Sequence, residues 1–174
     1  MTNTTHASLL VSLFDYKVWA NAEMDKALRK VNDGAADEQW LGAIRTMNHM
    51  LVVDRIFAAH LTGQAHGYAA ANTTETPTLE ALLASVKETD AWYVRYVAGL
   101  LPEQLSEAIH FTFTDGQAGR MTREEMLLHV ITHATYHRGA IGRMLVEAGG
   151  GSPPDTLTRF LHIAEPERRV LPTA

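Results

Sequence analysis

Between Met47 and Ala59 the chain presents apolar residues on nearly every side of a helix. A helix of that kind is stable only where other elements cover all of it. The stretch is also too short, and too interrupted by Asp54 and Arg55, to match the 18 or so apolar residues of a membrane span. It therefore predicts a helix buried at the centre of a helical bundle, running from about Asp37 to Leu61 and stopped by Thr62-Gly63.

The rest of the chain supplies partners for it. Leu9, Leu13, Val18 (or Trp19), Met24, Leu28 and Val31 recur at helical spacing and predict a first helix over Thr5 to Val31, stopped by Asn32-Asp33-Gly34. A third helix starts at Thr78 and carries Leu79, Leu82, Leu83, Val86, Trp92 (or Tyr93), Tyr96, Val97 and Leu100, with Pro102 as its boundary. The segment Ile109 to Thr114 alternates apolar and polar before Asp115-Gly116, which is a hairpin signature. Thr122-Arg123-Glu124-Glu125 reads as a capping box that opens a fourth helix, and Gly149-Gly150-Gly151 ends it before Pro153-Pro154. A short helix over Thr156 to Ala164 follows. The expectation is an all-α, antiparallel four-helix bundle with a small β-hairpin between helices 3 and 4, one domain over residues 1–174.

Composition narrows the chemistry. There is no cysteine, which excludes disulfides, thiolate nucleophiles and cysteine-based zinc sites. A chain of 174 residues can bury a core without a structural metal, so a metal bound here would serve function. The formal net charge is −5, and the lysines and arginines are scattered, so nucleic acid has no electrostatic footprint. The N-terminus has no basic region ahead of its apolar stretch, so no signal peptide is expected, and the expected location is the cytoplasm.

Nine histidines carry most of the remaining information. The fourth helix contains His129, His133 and His137 at successive spacings of four. Residues four apart sit about 6 Å apart along the axis, which lets one metal bridge two of them; the outer pair, about 12 Å apart, is out of reach of bonds of ~2.1 Å. On a helical wheel His137 lies about 60° from the centre of the apolar face, His133 about 100° and His129 about 140°. The pair nearer the interior is thus His133 and His137, with His129 beyond it or at the surface. His49 stands inside the apolar stretch of the second helix, where an imidazole needs a partner. His60 lies near that helix's end, closer to solvent, and His6, His66, His110 and His162 fall near termini or in loops. The HExxH pattern is absent, because Val130 and Ala134 follow the first two histidines. Asp54 and Arg138 lie near apolar faces and need partners, either each other or separate ones. Phe14, Trp19, Trp92, Tyr93 and Tyr96 read as core.

Three stretches together resemble the DinB family of DinB/YfiT-like metalloenzymes. They are Tyr16-Lys17-Val18-Trp19-Ala20-Asn21, His49 with Val53-Asp54-Arg55 after it, and the block from His129 through His133 and His137 to Arg138-Gly139. The resemblance implies a four-helix bundle, often dimeric, with a divalent metal (zinc or nickel foremost) on one histidine of the second helix and two of the last. Carried onto this chain these are His49, His133 and His137. Some relatives resemble S-transferases that use a low-molecular-weight thiol such as mycothiol or bacillithiol, and others maleylpyruvate isomerases. The resemblance therefore implies a metal-dependent thiol transferase, with a metal-dependent hydrolase or a metal-binding protein without turnover as the other readings. The expected partners are a small-molecule substrate and a second copy of the chain, with neither nucleic acid nor membrane.

Overall fold

The computed structural model describes residues 3–32 and 38–169, the side chains of residues 3–8 and 32 excepted. Among these residues the protein is mostly helical, with α1 (Asn3–Asn32), α2 (Glu38–Thr62), α3 (Leu79–Ala98), α4 (Arg123–Glu147) and the short α5 (Leu157–Ala164). One two-stranded antiparallel sheet joins β1 (Ala108–Thr112) to β2 (Ala118–Thr122). The expected stop at Asp33-Gly34 and the expected start of the second helix at Asp37 lie outside the described residues. No helix among the described residues is long and apolar enough to cross a membrane.

Local signals set the helix ends. The Thr78 hydroxyl caps α3 by accepting from the Ala81 amide. At α4 the Thr122 hydroxyl accepts from the Glu125 amide while the Glu125 carboxylate accepts from the Thr122 amide. The capping box is complete, and substituting its hydroxyl by alanine costs about 1 kcal/mol. Gly116, at φ +87°, makes the hairpin turn. Opposite Phe111, Gly119 leaves room for the ring, since a Cβ there would lie 2.6 Å from it.

The four long helices pack chiefly as α2 against α4 and α1 against α3, while α1 and α2 barely touch. Their inner faces make two apolar clusters. One contains Met24, Leu28, Met47, Leu82, Ile141 and Leu145, the other Phe14, Val53, Phe57, Tyr93, Met126 and Val130. Each such side chain, fully buried, stabilises the fold by about 1.5–3 kcal/mol.

On α1 and α3 a buried polar layer separates the two clusters, and it corrects the sequence reading. The inner stripe of α1 runs Leu10, Phe14, Lys17, Asn21, Met24, Leu28, Val31; Leu9 and Val18 face outward. Lys17 lies 2.5 Å from Asp90 and 2.8 Å from Asp54. Burial works against the Lys17 charge, but the two carboxylates outweigh it and raise its pKa. Burial also pushes the Asp54 carboxyl up to about 6, against the pull of Lys17. Asn21 donates to Asp90 at 2.8 Å and accepts from Arg138 at 3.3 Å. Arg138 pairs with Asp155, at 2.8 Å through Nε and 3.2 Å through Nη2. So Asp54 and Arg138 take separate partners, because Lys17 and Asp155 present full opposite charges at hydrogen-bonding distance.

The aromatic stripe divides. Phe14 and Tyr93 stack in the interior, with ring centroids 5.1 Å apart. Trp92 and Tyr96 are half-buried and stack on each other, and Trp19 turns away to meet Tyr16 and Phe160 of α5. These half-buried rings cover the rim of the interior.

Candidate metal centre

Because α2 and α4 run in opposite directions, residues early in α4 meet residues late in α2. Phe57 stacks on His129, while His49 meets His133 and His137. The rotation of α4 is set by Val130, Ala134 and Ile141, each fully buried, and this turns the His133 and His137 side chains toward α2.

Three imidazoles converge there. Ring centroids are 5.0 Å apart for His49 and His133, 4.8 Å for His49 and His137, and 4.4 Å for His133 and His137. One nitrogen from each ring lies within 4.8 Å of the others, an arrangement that could hold a metal ion. His49 Nε2 and His133 Nε2 are 3.1 Å apart. Two nitrogens bonded to one tetrahedral metal at ~2.1 Å stand about 3.4 Å apart, close to that separation.

The tautomer of His49 follows from its other nitrogen. Nδ1 lies 2.9 Å from the Ala71 carbonyl, which can only accept. Nδ1 therefore carries a proton, and in the neutral ring Nε2 offers the lone pair, the usual way in which a second contact orients a metal-ligating histidine. Asn48 supports the same loop by donating to the Thr73 hydroxyl at 2.6 Å. Burial, with help from His137 and His49, pushes His133 down to about 3, and burial and His49 lower His137. Both are thus neutral near pH 7, the form that binds metals. The residues fit a divalent cation.

The remaining histidines fall into place around this centre. His129 is half-buried, stacked between Phe57 (4.5 Å) and His133 (5.3 Å). His60 lies near the end of α2, half-exposed, and packs against Phe111 and His66. His110 lies in β1 and His162 in α5, away from the cluster, and the His6 side chain is outside the described residues.

Sequence reasoning missed the Ala71 carbonyl, a backbone group in a loop with no residue-type signal. It also missed Lys17, Asp90 and Asp155. For Lys17 a signal existed, since its position continues the Leu10–Phe14 and Asn21–Met24 stripe at helical spacing.

The fold and site define a mostly helical protein with a possible three-histidine metal centre between two helices. The sequence model of the DinB family matches residues 1–169, and the chain belongs to the DinB family. It is also similar to Protein DinB of Bacillus subtilis (strain 168), at 25% identity over 169 residues, covering 90% of this chain and 95% of that protein. No solved structure matches.

Proposed function

We propose that the four long helices form a single-domain, antiparallel four-helix bundle in which His49, His133 and His137 hold one divalent metal ion, zinc or nickel. We further propose that the protein is a cytoplasmic, metal-dependent S-transferase acting on a low-molecular-weight thiol. The observation that carries this reading is the convergence of three imidazoles without a carboxylate among them. When bound, a cation there keeps its full positive charge and at least one open position, so it lowers the pKa of a water or thiol placed at that position.

The choice between water and thiol rests on the residues nearby. Attack by water is helped by a positioned proton acceptor, and Val130 and Ala134 stand where a HExxH pattern would put its glutamate. A thiol needs no such group, because it ionises readily once a cation is beside it. No protein thiol competes for the site, since the chain has no cysteine. In the transfer the sulfur forms a bond to an electron-poor carbon; for a conjugated alkene the S–H proton passes to solvent and solvent returns one to the neighbouring carbon. His49, held by Ala71, fixes the site's geometry against α4.

The test is spectroscopic and chemical together. The cobalt-substituted protein is titrated with a panel of low-molecular-weight thiols. A sulfur-to-metal charge-transfer band, with conjugation of a model electrophile, supports transfer. Absence of any spectral change, with metal-dependent ester or amide cleavage, points to a hydrolase. Absence of both leaves a metal-binding protein without turnover.

A further inference from the structure

Along α4 the three-histidine cluster is flanked by two ring side chains that the proposed chemistry does not use. His129 precedes His133 by one turn and Tyr136 immediately precedes His137. The two are seven residues apart, so they lie on one stripe of the helix, about 10 Å from each other, with His133 between them.

Each has a property that packing alone does not call for. His129 is half-buried, and its ring makes only stacking contacts with Phe57 and His133, at interplanar angles of 24° and 28°. Among the described residues neither ring nitrogen has a protein hydrogen bond. Its faces are covered, so the polar edge is what it offers. Tyr136 is 77% exposed and meets only the edge of His137, at 5.1 Å and 84°. Its hydroxyl too has no protein partner among the described residues. One end of the stripe thus presents an imidazole edge able to donate or accept, and the other a free aromatic face.

We infer that His129 and Tyr136 form the electrophile-binding strip of the site, taking a planar, unsaturated molecule with a carbonyl or nitro oxygen. The ring or conjugated system lies on Tyr136, the oxygen accepts from the His129 imidazole, and the middle of the molecule passes over His133. This assignment rests on the transferase reading and names its second substrate class. The flat faces of such a molecule match the strip, whereas a saturated ring of equal size stacks poorly.

The experiment uses 2-acetylnaphthalene, which is planar, unreactive toward the protein and long enough to lay its outer ring on Tyr136 with its carbonyl toward His129, and 2-acetyldecalin as its saturated, non-planar counterpart. Each is titrated into the full chain, metal-free and zinc-loaded, and followed by the ring resonances of the histidines and tyrosines. The expected result is binding of 2-acetylnaphthalene with shifts at His129 and Tyr136, and affinity for the saturated ketone lower by about tenfold or more. His129→Leu and Tyr136→Ala should each weaken the planar probe by about tenfold, and His129→Gln, which keeps a donor, by less. Equal affinity for the two probes, shifts centred elsewhere, or affinity unchanged in both variants overturns the inference. Circular dichroism checks folding, and should His129→Leu not fold, Tyr136→Ala, at an exposed position, decides alone. No thiol or turnover enters the measurement. A failed transferase assay with this binding intact therefore sinks only the transferase reading, and the reverse result sinks only the strip.

Discussion

Replacing Asp155 with alanine should destabilise the protein by about 3 kcal/mol, although Asp155 lies outside the long helices and its side chain is 17% exposed. Arg138 is 1% exposed, and Asp155 is its charge partner, through Nε at 2.8 Å and Nη2 at 3.2 Å. The Tyr16 hydroxyl donates to the same carboxylate. With Asp155 gone, the guanidinium keeps Asn21 and Thr135 as acceptors, both at 3.3 Å and both neutral, and the face of the Tyr16 ring at 5.5 Å. Removing one partner of a buried pair typically costs about 3–5 kcal/mol, and the partial exposure of Asp155, which lets water approach, places this case at the lower end. For a chain of this length the loss corresponds to a fall in Tm of roughly 6–12 °C. Asp155→Asn, which keeps an acceptor oxygen, should cost roughly half as much. The assay is urea unfolding of Asp155→Ala, Arg138→Met and the double variant. If the charge pair is the cause, the double variant is less destabilised than the sum of the single ones, by about 1 kcal/mol or more. Additive losses, or an Asp155→Ala variant within about 0.5 kcal/mol of the parent, would refute the reasoning.

Alanine at His133 or His137 should abolish stoichiometric metal binding, His49→Ala should weaken it greatly and His129→Ala should leave most of it, as read by metal per chain after dialysis. A metal-free His129→Ala beside a metal-loaded His137→Ala would reassign the site. Chelated protein should keep its helical circular dichroism, because the two apolar clusters supply the core, and collapse on chelation would instead mark a structural metal. The metal-free protein should lose stability on acidification. The native His133 pKa of about 3 lies below the unfolded value of 6.5, so the unfolded chain takes up the proton first; the stabilising contribution is whole above about 6.5 and fades toward 3. Urea midpoints at descending pH test this, and a midpoint that rises through that window contradicts it. Light scattering should find a homodimer, and gel shifts at moderate salt should find no DNA complex, given the net charge of −5.

Much of the helical framework was legible in the chain because its signals are local. Helical periodicity, the Thr122–Glu125 box and the Thr78 cap act within a few residues, and the observed helix starts at Leu79 and Arg123 follow them. The three histidines were legible as well. Spacing of four and the apolar face chosen by Val130, Ala134 and Ile141 already orient His133 and His137, and His49 stands out as an imidazole within an apolar stretch.

The phase of α1 was not legible from its apolar residues alone. Reading apolar residues alone favours Leu9, Leu13 and Val18, whereas the buried stripe contains Lys17 and Asn21. A polar residue is buried only where its partners come to it, and those partners, Asp54, Asp90 and Arg138, reside on three other helices. The same holds for the Arg138–Asp155 pair and for the Ala71 carbonyl that sets the tautomer of His49. Sequence by itself determined where α3 and α4 start and which histidines share a face, since both follow from spacing along one chain segment. Only the tertiary structure decided which charges pair and which nitrogen of His49 is free, because those depend on groups far apart in sequence meeting at hydrogen-bonding distance.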